Sequence, residues 1–196
     1  MSNILYLDDY INFYDEKNHQ LIIAKPYKNT LRNGFIIDRE KFNKKFLQML
    51  DSYDLKQKFF SESLIIVINN LFTKEDKILI KEIMENLNYK NIKFVQEIKY
   101  LKVDKTTLYI NCNVTYYYLI YTNYLGNVEI NLYKNDELNK NYLVNIIKYL
   151  NKDKIILYGK NFKEIVNLIN KQNIDYYYYK ESDNLMIHYL LNNKKV

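Results

Sequence analysis

Two short, unbroken apolar runs constrain this chain more than anything else in it: SLIIVIN (Ser63 to Asn69) and KIILYG (Lys154 to Gly159). A strand with one wet face alternates apolar and polar residues. A strand that is apolar throughout is covered on both faces, as in a parallel sheet with a layer on either side. Each run is followed by a segment of helical period and then by another short strand. After the first, Thr73 caps a helix with Asp76 at the third helical position, a capping-box-like arrangement. Leu79, Ile80, Ile83, Met84 and Leu87 supply the buried side of that helix, and IKFVQEI (Ile92 to Ile98) closes the unit as a strand. After the second run, Asn161 to Asn170 places Phe162, Ile165, Val166 and Ile169 on one helix face. DYYYYK (Asp175 to Lys180) then reads as a strand, and Ser182 caps a last helix through Leu191.

Upstream of each run lie three strand candidates and a helix. In the first half the strands are NILYLD (Asn3 to Asp8), INFYDE (Ile11 to Glu16) and QLIIAK (Gln20 to Lys25). An irregular stretch, PYKNTLRNG, holds the only proline, Pro26. Asp38 then caps a helix to about Tyr53, with Phe42, Phe46, Met49, Leu50 and Tyr53 on one face. In the second half the strands are TTLYIN, TYYYLIYTN and NVEINLY, with Asn111, Cys112 and Asn113 as the turn of a β-hairpin between the first two. A helix follows from about Asp136 to Leu150, with Leu138, Tyr142, Ile146 and Leu150 inward. Each half is therefore an α/β unit of order βββαβαβ, with a further helix in the second. The duplication lies in element order and not in residues. The boundary falls near Val103 to Lys105, giving lobes 1–104 and 105–196, with no glycine- or proline-rich linker between them.

Composition excludes several classes. One cysteine, Cys112, rules out an internal disulfide and a multi-cysteine metal site. No apolar run approaches the ~20 residues that span a bilayer. The opening residues show no secretory signal, so the cytoplasm is the expected compartment. The net charge of +6 comes from dispersed lysines in a chain rich in Lys, Asn, Ile and Tyr and poor in Gly and Pro. That is the signature of AT-rich coding, and nucleic acid is not an expected partner. His19, His188 and Cys112 have no ligand spacing. Asp8 and Asp9 are adjacent carboxylates at a strand end, as in a two-metal nuclease, but Asn69 stands where a further acid would help. A turn role is the better reading. The 22 tyrosines leave two readings open: compositional drift, or a contact face built from Tyr116, Tyr118, Tyr177 and Tyr179.

Three meandering strands followed by αβαβ is the ribonuclease-H-like plan, and two in tandem make the architecture of actin, sugar kinases and Hsp70. On these residues the chain resembles the bacterial actins of the MreB and FtsA group over nearly its whole length. LRNGFIIDREKFNKKFLQML is similar to the stretch leading into that group's first long helix, with Asn33-Gly34, Ile36 and Asp38 matching. LIIVINNLFTKEDKILIKEIMENLNYKNIKFVQE is similar to its buried strand, loop, threonine-capped helix and glutamate-ended strand, with Thr73 and Glu97 matching. TLYINCNVTYYYLIYTNYLGNVE stands in the place of the second phosphate hairpin. KIILYGKNFKEIVNLINKQNIDYYYYKESDNLMIHYLL looks like the adenosine-site strand, loop and helix with the terminal elements.

The resemblance implies an ATP and Mg²⁺ site, and the departures fall on it. In the first phosphate hairpin Asp8 keeps the acid, but Tyr10 takes the glycine's place. In the second, Ile110 replaces the aspartate, and Cys112, Asn113 and Val114 replace glycines; Thr115 is retained. In the adenosine loop Gly159 is followed by Lys160 and Asn161, and Asn70 or Leu71 replaces the family's proline. Phosphate cradles converge backbone N–H groups on an anion, which needs glycine's freedom and close approach; isoleucine cannot organise Mg²⁺. The family's lobe insertions are also missing: Lys25 to Asn33 is too short for one, and a single helix fills Tyr133 to Lys154. The interlobe helix after Glu97 is shortened. The expectation is therefore two tandem ribonuclease-H-like (actin-like ATPase) lobes without the large insertions and with a degenerate nucleotide site. Its remnants are Asp8, Tyr10, Asn12, Asn113, Thr115 and Gly159, with Glu97 at the family's glutamate position. No catalytic residue, cofactor or metal is expected. The function expected is that of an inactive scaffold or adaptor in cell shape, division or cytoskeletal assembly. It would contact itself or a true bacterial actin, and reach a membrane only through a partner. The alternatives are a divergent ATP-binding filament protein, a PilM-type pilus or secretion scaffold, and a ribonuclease-H-like nucleic-acid-binding protein.

Overall fold

The two unbroken apolar runs are equivalent strands of two separate five-stranded sheets. In the computed structural model the chain divides into two compact units, Met1–Tyr100 and Leu101–Val196. The structure describes residues 2–8, 10–32, 34–55, 63–69, 71–101, 103–112, 116–159 and 162–178. The expected last helix from Ser182, with His188, lies outside them, as do Asp9, Asn113, Thr115, Lys160, Asn161 and Tyr179.

In the first unit β1 (Ser2–Leu7), β2 (Ile11–Asp15) and β3 (Gln20–Ala24) form an antiparallel meander. A two-stranded hairpin, β4 (Leu31–Arg32) and β5 (Phe35–Ile36), leads into α1 (Arg39–Ser52). Then come β6 (Ser63–Ile68), α2 (Lys74–Asn86) and β7 (Asn91–Gln96). The sheet order is β3-β2-β1-β6-β7, with β1, β6 and β7 parallel. Helix α1 starts where Asp38 accepts the Lys41 N–H. Helix α2 starts on a complete capping box between Thr73 and Asp76. Both helices lay their apolar stripes on one face of the sheet: Phe42, Phe46, Met49 and Leu50 from α1, and Ile80, Ile83 and Met84 from α2, against Leu5, Leu7, Phe13, Ile22, Leu64 and Ile66. Phe46 stacks on Phe42 and meets Phe13 edge-on at 6.0 Å. The other sheet face is buried too, through Ile4, Tyr6, Tyr14 and Val67, which accounts for the lack of alternation in β1 and β6.

The second unit repeats the plan with β8 (Thr107–Cys112), β9 (Tyr116–Thr122), β10 (Val128–Lys134), α3 (Glu137–Leu150), β11 (Lys154–Tyr158), α4 (Phe162–Asn170) and β12 (Tyr177–Tyr178). The order β10-β9-β8-β11-β12 matches the first sheet strand for strand, with β11 parallel to β8 and β12. Leu108, Ile110, Cys112, Tyr117, Leu119, Ile155 and Leu157 meet Leu143, Ile147, Ile165 and Ile169 of the two helices. Tyr109, Ile120, Ile156 and Tyr158 are buried on the opposite face.

Several expectations are corrected. The stretch before α1 is not wholly irregular, because Leu31–Arg32 and Phe35–Ile36 pair across Gly34. Asn111 and Cys112 are not turn residues; both are buried in β8, facing Tyr118 and Tyr117 of β9. The buried stripe of α3 is rotated: Leu143 and Ile147 point inward, while Tyr142 is 55% exposed and meets Tyr133 edge-on. After β7 the chain makes a single 3-10 turn, Glu97–Tyr100, rather than extending the strand through Ile98. The hairpin β4–β5 occupies the stretch before α1, and Asn135 and Asp136 alone separate β10 from α3.

Candidate functional site

The site implied by the sequence lies at the carboxyl ends of the central strands, where open α/β sheets place their ligands. In the first unit Leu7 of β1 pairs directly with Ile11 of β2, so the turn between them is tight. Asp8 closes it. Its Oδ1 accepts the Tyr10 backbone N–H at 2.6 Å and the Asn12 side-chain amide at 3.2 Å. The Asp8 N–H donates back to the Tyr10 carbonyl at 3.2 Å. The Asn12 amide also reaches the Tyr6 and Tyr10 carbonyls, at 3.2 and 3.4 Å. This is an Asx-type turn: a short side chain that accepts a backbone N–H two residues on holds the loop without glycine. Asp8 and Asn12 are both buried.

Gly34 packs directly beneath this turn. Its N–H donates to the Asp8 carbonyl at 2.8 Å. Its φ is +87°, and a Cβ there would lie 2.6 Å from the Leu7 carbonyl oxygen. Asn69, at the end of β6, folds its side chain back to accept the Leu71 N–H at 2.9 Å. Glu97 begins the turn after β7 and is 2% exposed. The first unit thus places Asp8, Tyr10, Asn69 and Glu97 at the carboxyl ends of β1, β6 and β7 or in the turn that joins β1 to β2, with Asn12 beside them at the start of β2.

The second unit places Gly159 at the equivalent end of its sheet. There φ is +89°, and an added Cβ would meet the Cys112 carbonyl oxygen at 2.6 Å, Asn111 Oδ1 at 2.7 Å and the Cys112 nitrogen at 3.0 Å. In both units a glycine lets a loop pass against the end of the sheet's central strand. The third glycine, Gly126, sits in the turn between β9 and β10 with nothing within 4 Å of a Cβ position. Cys112 is fully buried, and burial pushes its thiol above the ordinary range, the setting of a structural cysteine. Asn113 and Thr115, from the second hairpin, lie outside the described residues.

Of the four tyrosines read as a contact face, Tyr177 is exposed and Tyr116 is half-buried. Tyr118 is corrected: it is 3% exposed, because it stands on a central strand of a sheet covered on both faces. Tyr179 lies outside the described residues. The Asp8–Asn12 link was not legible in the sequence, although an Asx residue two positions before the end of a three-residue turn is its signal. Among the described residues no group of three or more His, Cys, Asp and Glu could hold a metal ion. None of their helices is long and apolar enough to cross a membrane.

No family model and no curated protein sequence matches the chain. Solved structures do. MreB5 of Spiroplasma citri bound to AMPPNP aligns at a TM-score of 0.62 and 11% identity, over 100% of this chain and 96% of that one. A Bacteroides thetaiotaomicron protein of unknown function, described as having an actin-like ATPase fold, aligns at 0.59 and 13% identity, over 98% and 96%. The ethanolamine utilization protein EutJ from Carboxydothermus hydrogenoformans aligns at 0.58 and 7% identity, over 90% and 83%. At these identities the likeness carries the fold and no more. With two sheets of one strand order, helices in matching positions and alignments that run along nearly the whole chain, this protein has the actin-like ATPase fold.

Proposed function

We propose that this chain is an actin-like protein that neither binds nor hydrolyses nucleotide. It acts as a scaffold or adaptor through contacts with other proteins, in cell shape, division or another cytoskeletal assembly. The single observation that carries the reading is the first hairpin turn. A phosphate cradle needs backbone N–H groups free to converge on an anion. Here the Tyr10 N–H is held at 2.6 Å by the chain's own Asp8 carboxylate. That N–H already has an acceptor within the chain and is not free to converge on a phosphate, and the residue that carries it is a tyrosine. The glycines point the same way. The chain has three, and two of them serve close backbone approach at the ends of β1 and β8.

A second reading, a divergent ATP-binding filament protein, draws on Asp8 and Glu97. Both are buried acids at the carboxyl end of the first sheet, and MreB5, which shares the fold, was crystallised with AMPPNP. Melting temperature separates the two. A ligand at a hundredfold excess over its Kd adds about 2.7 kcal/mol, enough to raise the melting temperature by roughly 5–10 °C in a chain of this size. The expected result is an unchanged melting temperature in millimolar Mg-ATP. A rise of several degrees overturns the proposal in favour of the second reading.

A further inference from the structure

Strand β10 is a free edge of unusual character. It is seven residues long, and among the described residues no strand pairs with its outer side. The hydrogen bond from the Asn123 N–H to the Asn127 carbonyl fixes which residues bond inward. Antiparallel pairs alternate between bonded and non-bonded. In the observed register Glu129, Asn131 and Tyr133 therefore bond to β9, while Val128, Ile130, Leu132 and Lys134 turn their N–H and C=O groups outward. The side chains of these four residues share one sheet face, and they are exposed: Val128 by 46%, Ile130 by 37% and Leu132 by 40%.

An open row of backbone donors and acceptors flanked by apolar side chains is a template for another strand, and proteins usually blunt such edges with lysine, proline or short length. Two other edges, those of β3 and β7, are blunted. Strand β3 has five residues and runs straight into Lys25 and Pro26. Strand β7 carries an exposed Lys93 in mid-strand. β10 has no proline, and its only lysine is its last residue.

We propose that β10 is a self-association surface whose occupant is β10 of a second copy of this chain, antiparallel, about a two-fold axis through Asn131. The sequence V-E-I-N-L-Y-K suits that axis. Ile130 of each copy lies opposite Leu132 of the other, giving a four-residue apolar cluster. Val128 lies opposite Lys134, whose aliphatic stem covers it while the ammonium stays in water. The pairs that face each other are those with outward backbone groups, so the contact forms about eight cross-strand hydrogen bonds. Glu129 and Lys134 leave the strand electrically neutral in a chain of net charge +6, so this edge adds no repulsion of its own. The two five-stranded sheets become one of ten. One strand pair is smaller than the about 800 Å² per partner of a stable complex, so the association is weak and concentration-dependent.

This inference rests on the contact function proposed above for its role, but its test contains no nucleotide and its failure leaves the melting experiment untouched. Sedimentation of the full chain over a concentration series gives the mass. The wild type is expected to move toward twice the chain mass as concentration rises. Ile130→Lys places a charge in the apolar cluster and is expected to stay monomeric with an unchanged circular dichroism spectrum. Leu132→Pro removes an N–H from the outer edge alone and is expected to behave likewise; if it fails to fold, Ile130→Lys decides. Ile23→Lys, on β3, is expected to associate like the wild type. A wild type that stays monomeric at every concentration overturns the proposal, and so does a folded Ile130→Lys that associates undiminished.

Discussion

At the scale of single residues, Asp8, Asn12 and Gly34 secure the carboxyl end of the first sheet, and Gly159 that of the second. Asp8 closes its turn through its own side chain, and each glycine removes a Cβ that would strike a strand-end carbonyl. The glycines differ in a way that separates backbone strain from steric conflict. All three have φ near +90°, where an L side chain is strained by about 1–3 kcal/mol. At Gly126 nothing lies within 4 Å of the Cβ position, whereas at Gly159 three atoms lie within 3.0 Å. Gly126→Ala is expected to cost about 1 kcal/mol. Gly159→Ala is expected to cost about 3 kcal/mol, because overpacking against strand backbone adds to the strain. Urea unfolding of the two variants checks this, and equal losses would mean that the contact with Cys112 is not tight. Gly159 is visible in the sequence as an isolated glycine after an apolar run. Nothing in the sequence says that its neighbour is the Cys112 carbonyl, because that contact depends on the parallel register of β8 and β11.

At the scale of elements, the helices were the most legible because their ends carry their own chemistry. Asp38 and Thr73 cap α1 and α2, and Asp136 caps α3. The β4–β5 hairpin was not legible, since strands of two residues cannot show alternation. The inward face of α3 was misjudged because tyrosine is apolar enough to extend a helical stripe, yet Tyr142 ends half in water beside Tyr133. The cap of α1 also predicts a pH response. Hydrogen bonds from Lys41, first its side chain and then its backbone N–H, hold the Asp38 carboxyl below its ordinary value of 3.8. A carboxylate whose pKa is lower folded than unfolded stabilises the fold at pH above the unfolded value, and that contribution is lost as pH falls through the folded one. Stability should therefore decline on acidification below about pH 4. Glu75, Asp104 and Glu129, held down in the same way by hydrogen bonds, contribute to the same decline. Asp38→Asn keeps a capping oxygen but cannot titrate, so its urea midpoint should fall less steeply over that range. A slope identical to the wild type would remove Asp38 from the account.

At the scale of the whole molecule, order mattered more than motif. No segment matches a family pattern residue for residue. Two passes through βββαβαβ nevertheless dictate two sheets of one strand order, because right-handed parallel crossovers leave few other arrangements. The two lobes were readable from apolar runs such as Ser63–Ile68 and Lys154–Tyr158. The candidate site was readable only as departures, Tyr10 for a glycine and Ile110 for an aspartate. How the chain fills the freed positions depends on contacts such as Asn12 to Asp8, which composition and periodicity do not carry. The central claim is that the first turn's amide is committed to Asp8 and not offered to phosphate. The most direct measurement is a titration of the isotope-labelled chain with Mg-AMPPNP, following the amide resonances of Tyr10, Asn12 and Gly159. The account expects all three to stay in place to millimolar concentration. A saturable shift of the Tyr10 amide, abolished in Asp8→Ala, would contradict it.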